Sequence, residues 1–167
     1  MENKELVREA LEARKQSYCP YSGFAVGAAL LCGDGTIFRG CNIENAAYPA
    51  TNCAERTAMF KAVSEGNMDF RAIAIVGGPK GKEPKDFCAP CGVCRQVLVE
   101  FCDPDRFLVL LCKGDKTWKE FTLAELLIVT GIVAILVAVS IPIMSGQVQK
   151  TKEVRAKAEA RILCMAL

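Results

Sequence analysis

Histidine is missing altogether, which removes the commonest general base and the usual nitrogen ligand for zinc from every reading of the chain. Any metal centre must therefore be built from thiolates or carboxylates. Net charge is nearly missing as well, at +2, and residues 1–120 carry 16 Lys and Arg against 16 Asp and Glu. No basic stripe stands out there, so nothing points to a nucleic-acid partner. The surplus sits near the C-terminus, where Lys150, Lys152, Arg155, Lys157 and Arg161 outnumber Glu153 and Glu159. A secretory leader is lacking too: Met1 to Lys15 is charged and amphipathic.

What the chain has is cysteine, ten in all. Without a leader these are expected as reduced cytosolic thiols rather than a disulfide framework. Cys19, Cys32, Cys41, Cys88, Cys102, Cys112 and Cys164 lie largely in apolar runs or turns and read as small buried hydrophobes. Cys88 stands close enough to Cys91 to serve as a spare ligand.

The length suits about one domain. Leu6, Ala10, Leu11 and Ala13 predict an opening helix over residues 3–16. An apolar strand from Phe24 to Cys32, the turn Gly33-Asp34-Gly35 and a returning strand from Thr36 to Cys41 make a hairpin. Residues 42–52 read as a loop, followed by a helix from near Cys53 that Gly66 ends. A β-branched strand over residues 71–76, a charged loop over 80–86, a helix over 91–101 and a strand over 106–112 complete an α/β sandwich.

Two motifs carry the chemistry. Cys53-Ala54-Glu55 and the Cys91-Gly92-Val93-Cys94 pair together supply three thiols, three of zinc's four tetrahedral positions, leaving the fourth for water. A structural zinc or a redox dithiol also fits an isolated C-x-x-C. Neither explains a glutamate two residues from one ligand, whereas Glu55 is placed to move protons beside a catalytic metal. Three thiolates on Zn²⁺ leave a formal charge of −1, which weakens the metal as a Lewis acid. Helix N-termini at Cys53 and Cys91 offset this, and Arg56 either donates to a thiolate or is a solvated helix arginine.

The run Gly40-Cys41-Asn42-Ile43-Glu44-Asn45-Ala46-Ala47-Tyr48-Pro49, then Cys53-Ala54-Glu55-Arg56, then Pro90-Cys91-Gly92-Val93-Cys94-Arg95-Gln96, closely resembles the small cytidine deaminases over about residues 4–127. The resemblance implies a three-layer α/β sandwich with a mixed five-stranded sheet between helices. It implies one Zn²⁺ per chain on Cys53, Cys91 and Cys94, and Glu55 as the proton shuttle of the zinc deaminases. It further implies Asn42 and Glu44 on the ribose hydroxyls, Phe24 stacked on the pyrimidine, Ala54 among the substrate contacts and Arg56 neutralising the thiolates. The substrate class is a small pyrimidine nucleoside. The assembly is a homotetramer, with Ala46 and Tyr48 in the segment that would complete a neighbour's site.

After residue 125 the pattern changes. Residues 126–149 carry no charge and are long enough to cross a bilayer, since about 20 residues suffice. Pro142 is expected to kink or end the most apolar part, and residues 150–167 follow as a charged helical tail. Phe121-Thr122-Leu123-Ala124-Glu125-Leu126-Leu127 is shared by the deaminases and by the N-terminal helix of type IV pilin-like proteins, which the chain resembles through Pro142. It departs from both. Deaminases continue with a proline and a phenylalanine that enters the adjacent active site, and pilin processing wants glycine where Glu120 stands. The expectation is a catalytic domain over 1–125 in the cytoplasm, tethered by an apolar helix over 126–149. The alternatives are a pilin-like membrane or assembly subunit carrying a relic deaminase domain, or a deaminase of a related aminopyrimidine nucleoside.

Overall fold

The computed structural model describes residues 3–165, with side-chain surroundings given for residues 3–142, 144 and 150–152. It divides into two compact units, 1–126 and 127–167.

The first unit opens with helix α1 (Asn3–Arg14), whose buried face is Leu6, Val7, Ala10 and Ala13. Strands β1 (Phe24–Cys32) and β2 (Ile37–Cys41) form the predicted hairpin. Helix α2 (Ala54–Ser64), strand β3 (Phe70–Pro79), helix α3 (Gly92–Phe101) and strand β4 (Leu108–Cys112) follow. Gly66, at φ +88°, takes the left-handed turn that lets the chain leave α2. The sheet order is β2-β1-β3-β4-β5, with only β3 and β4 parallel. Its last strand, β5 (Trp118–Thr122), is an edge strand with two exposed charged residues, Lys119 and Glu120, and has no apolar alternation to announce it.

Register decides which helix covers which face. Ala28 pairs with Gly40 and Gly27 with Cys41, so Gly27 and Gly40 point to opposite sides of the sheet. A Cβ on Gly27 would lie 2.2 Å from the Ala10 carbonyl oxygen, and one on Gly40 2.2 Å from that of Ala54. Helix α1 therefore rests on one face and α2 on the other, each near enough that only hydrogen fits between backbone and backbone. On the α1 side Leu6, Val7 and Ala10 pack with Ala29, Ala74, Val76, Leu110 and Cys112. The α/β/α sandwich with a mixed five-stranded sheet is thus present.

Helix α4 (Leu123–Met165) runs through both units, with Pro142 inside it. The helix begins three residues before the uncharged run, because Thr122 and Glu125 form a capping box. The Thr122 amide donates to Glu125 Oε2 at 2.7 Å, and the Glu125 amide donates to Thr122 Oγ1 at 3.2 Å. Pro142 does not end the helix, although it removes one backbone donor. Over Leu123–Pro142 the mean hydropathy is 2.6, with 6% of the most apolar window buried.

Replacing Gly27 or Gly40 with alanine should push a helix off the sheet and cost about 3 kcal/mol, near the upper end for overpacking. Urea denaturation of each variant measures it; an unchanged midpoint would contradict the close approach.

Candidate metal centre and its surroundings

Two helix N-termini meet at the cluster. Cys53 is the N-cap of α2 and Cys91 the N-cap of α3, both with extended backbone, which is the cap conformation. Sγ of Cys53 lies 3.9 Å from Sγ of Cys91, which lies 3.5 Å from Sγ of Cys94, and all three fall within 4.8 Å of one another. Two thiolates on one tetrahedral zinc, with bonds of about 2.3 Å, sit about 3.8 Å apart. A disulfide would need about 2.05 Å, and each of the nine cysteines from Cys19 to Cys112 is free. The trio fits a zinc ion.

The charges fit too. Cys53 is lowered to about 5, first because it accepts a hydrogen bond from Cys94, then through the Arg56 guanidinium. Cys94 is pushed far up, because it donates to Cys53, is buried and faces the negative charge of Glu55 and Cys53. Negative charge gathered on sulfurs this close is mutually unfavourable, which a bound cation relieves.

The helix termini act unequally. The Cys94 amide donates to Cys91 Sγ at 3.5 Å, as a cap should. Cys53 receives no such backbone hydrogen bond. Arg56 takes that place, donating from Nη2 to Cys53 Sγ at 3.6 Å and to the Thr51 carbonyl at 2.9 Å. Its Nε is buried without a partner, an orphaned donor in an anionic cluster. The solvated-arginine reading of Arg56 is therefore set aside.

Glu55 is the second residue of α2, in its first turn, and is 5% exposed. Burial raises its carboxyl to about 7, and the Cys53 charge pushes the same way. Cys88 is not part of the cluster; it is a half-buried thiol raised to about 11 by burial and then by the charge of Glu55, Cys53 and Cys91. Its Sγ occupies the space over Gly77, 2.7 Å from where a Cβ would stand, with the Phe24 ring 2.9 Å from the same point. Phe24, Gly77 and Cys88 line one cavity of about 320 Å³ with Pro79 and Ala89.

Phe24, Asn42 and Glu44 are tied into one polar group. Asn42 Nδ2 donates to the Phe24 carbonyl at 2.9 Å, and its Oδ1 accepts from the Val26 amide at 2.8 Å. Each end of that amide keeps one unused hydrogen-bonding position. Glu44 Oε2 accepts from the Tyr21 and Ser22 amides at 2.9 and 3.2 Å, Oε1 accepts from the Ser22 hydroxyl, and Ser22 Oγ accepts from the Phe24 amide at 3.0 Å. These bonds, the Ser22 hydroxyl first, hold Glu44 below the usual carboxylate range. Ile43, between them, is bridged to Asn52 and Tyr18, so Asn42 and Glu44 share one side of an extended segment. Ala54 is fully buried at the start of α2. Ala46 and Tyr48 are exposed, Tyr48 opening a short 3-10 turn (Tyr48–Ala50). Sequence reasoning passed over Ser22 and Gly77. A serine in a turn signals nothing by itself, and the crowding over Gly77 comes from two segments remote in sequence.

The profile for the cytidine and deoxycytidylate deaminase zinc-binding region matches residues 1–110. The chain belongs to this family. It is 52% identical over 128 residues to a cytidine deaminase of Sporosarcina psychrophila, covering 76% of this chain and 89% of the relative. A cytidine deaminase of Halalkalibacterium halodurans is likewise 52% identical, with 92% of it covered. Among solved structures, the cytidine deaminase of Burkholderia pseudomallei superposes with a TM-score of 0.67 at 44% identity, over 75% of this chain and 96% of that one. With these matches the pilin-like alternative is not favoured, and the deaminase fold and its zinc-binding cysteines account for the first unit.

Replacing any one of Cys53, Cys91 or Cys94 with serine should cut bound zinc from one per chain to well below it, read by metal analysis of the purified protein. Chelation and restoration of zinc should abolish and return turnover together. Arg56→Gln should weaken zinc affinity by about tenfold, in the range seen for groups that support metal ligands; affinity equal to the parent would show that the guanidinium does not support the thiolates.

Proposed function

We propose that the chain hydrolyses cytidine and 2′-deoxycytidine to uridine and 2′-deoxyuridine, releasing ammonia. The observation that carries this is the buried Glu55 carboxyl beside a three-thiol cluster at two converging helix N-termini. The names of the relatives support the same substrate class.

Cys53, Cys91 and Cys94 would hold the zinc, which would supply a Lewis acid able to bring the pKa of a water toward neutrality. Glu55 does the proton work. A carboxyl raised to about 7 is suited to take a proton from the attacking water and give it to the pyrimidine N3. The water oxygen bonds to C4; Glu55 then takes the remaining proton from the new C4 hydroxyl and passes it to the amine as the C4–N4 bond breaks and the C4 carbonyl forms. Arg56 offsets the thiolate charge that would otherwise oppose these steps. Phe24 offers its ring, 40% exposed, as the stacking surface for the pyrimidine. Glu44, ionised and fixed by three donors, and the spare positions of the Asn42 amide suit the vicinal hydroxyls of a ribose. Ala54 presents the first amide of α2, which has no partner within the helix.

The working particle is proposed to be a homotetramer, in which the exposed Tyr48 and Ala46 of one subunit complete the site of the next. Nine free cysteines suit a reducing cytoplasm. The chain lacks the C-terminal phenylalanine that the family resemblance places in the neighbouring site, so its turnover is expected to fall below that of the relatives.

Loss of the cytidine absorbance on adding protein tests the activity. Glu55→Ala should lower kcat about a thousandfold, within the usual range for removing a general acid–base, while keeping one zinc per chain. Zinc-loaded protein that leaves cytidine unchanged would refute the proposal. Glu44→Gln should raise KM for cytidine more than it lowers kcat.

A further inference from the structure

We propose that residues 127–149 insert into a lipid bilayer as one helical span and anchor the chain there. Three observations meet on this segment. The first is its length. The uncharged run continues to Gln149 within one helix, and 23 residues at about 1.5 Å each give about 34 Å, enough for a hydrocarbon core of about 30 Å.

The second is that its apolar surface has no polar side. Ile128, Val133, Ile135, Leu136, Val137 and Ile141 are 49–65% exposed. At 100° per residue they reach most of the way round the helix, and Ala134 and Ala138 fill the remaining sector. A helix that docks on a protein shows one apolar stripe and a polar back, and a coiled-coil seam is narrower still. An apolar surface on all sides calls for an environment that is apolar on all sides, and only 6% of the most apolar window is buried by the protein itself. The polar side chains of the run are uncharged, Thr130, Ser140, Ser145, Gln147 and Gln149, and at mid-span Ser140 Oγ donates to the Leu136 carbonyl at 2.6 Å.

The third is charge complementarity. The run ends at Lys150, and Lys150, Lys152, Arg155, Lys157 and Arg161 outnumber Glu153 and Glu159 in the remaining sequence. A cationic segment directly after the span is matched to the phosphates and anionic headgroups of a bilayer surface.

The test is flotation of the full-length chain with vesicles of phosphatidylcholine, with and without phosphatidylglycerol. The chain should float with both, more strongly with the anionic lipid, and should resist carbonate extraction. Val133→Lys combined with Leu136→Lys should lower the floated fraction by about tenfold or more, given the cost of lysine at mid-span, and leave zinc content and cytidine turnover as they were. Lys150→Gln with Lys152→Gln should keep flotation and reduce the preference for anionic vesicles. Release by carbonate, recovery as a lipid-free oligomer in the presence of vesicles, or flotation unaffected by the lysine pair would each overturn the proposal. Because the deaminase assay is read separately, failure of the anchor and failure of the enzyme cannot be confused.

Discussion

Everything in the first unit depends on two helices being allowed to start at the same point. Helix α2 can lie against β2 only because Gly40 has no side chain, and that close approach fixes where Cys53 and Glu55 stand. Helix α3 begins at Cys91 after the long loop from β3, so its first turn brings two thiols to meet the one from α2. The site is thus a property of helix placement rather than of a rigid loop. A shift of α2 by the width of a methyl group would separate sulfurs that must remain about 3.8 Å apart to share a tetrahedral ion.

The metal centre was legible in the sequence because metal geometry imposes spacing. Ligands three apart at a helix start, with a carboxylate two residues from the third thiol, suit little chemistry besides that of a catalytic metal. Helices α1 and α3 were readable because their apolar residues recur at helical spacing, and the inner strands because each is a short apolar run closed by turn residues. Strand β5 was not legible by itself. It is five residues at a sheet edge, two of them exposed charges, and only the family resemblance implied a fifth strand. Hydropathy sets the start of α4 three residues late for a related reason. It finds the apolar run, whereas the helix begins where Thr122 and Glu125 close the first unpaired amides.

The surroundings of Glu55 suit the proposal that one carboxyl serves both as acid and as base. Burial removes the water that would stabilise its charge, and the Cys53 charge adds repulsion, so the carboxyl is raised to about 7. Arg56 works in the opposite sense on the sulfurs. The same turn of α2 therefore holds a group that resists charge next to groups that must carry it. Asn42 and Glu44 show another economy: their hydrogen bonds to the backbone near Phe24 make the polar floor and the aromatic wall one piece.

The capping box at Thr122 and Glu125 separates the two halves of the chain in a simple way. Its hydrogen bonds are closed within four residues, and Arg95 Nη1 secures the Leu126 carbonyl at 2.6 Å from within the first unit. The start of α4 is therefore set by residues that belong to the first unit, and the last strand of the sheet is complete before the uncharged run begins.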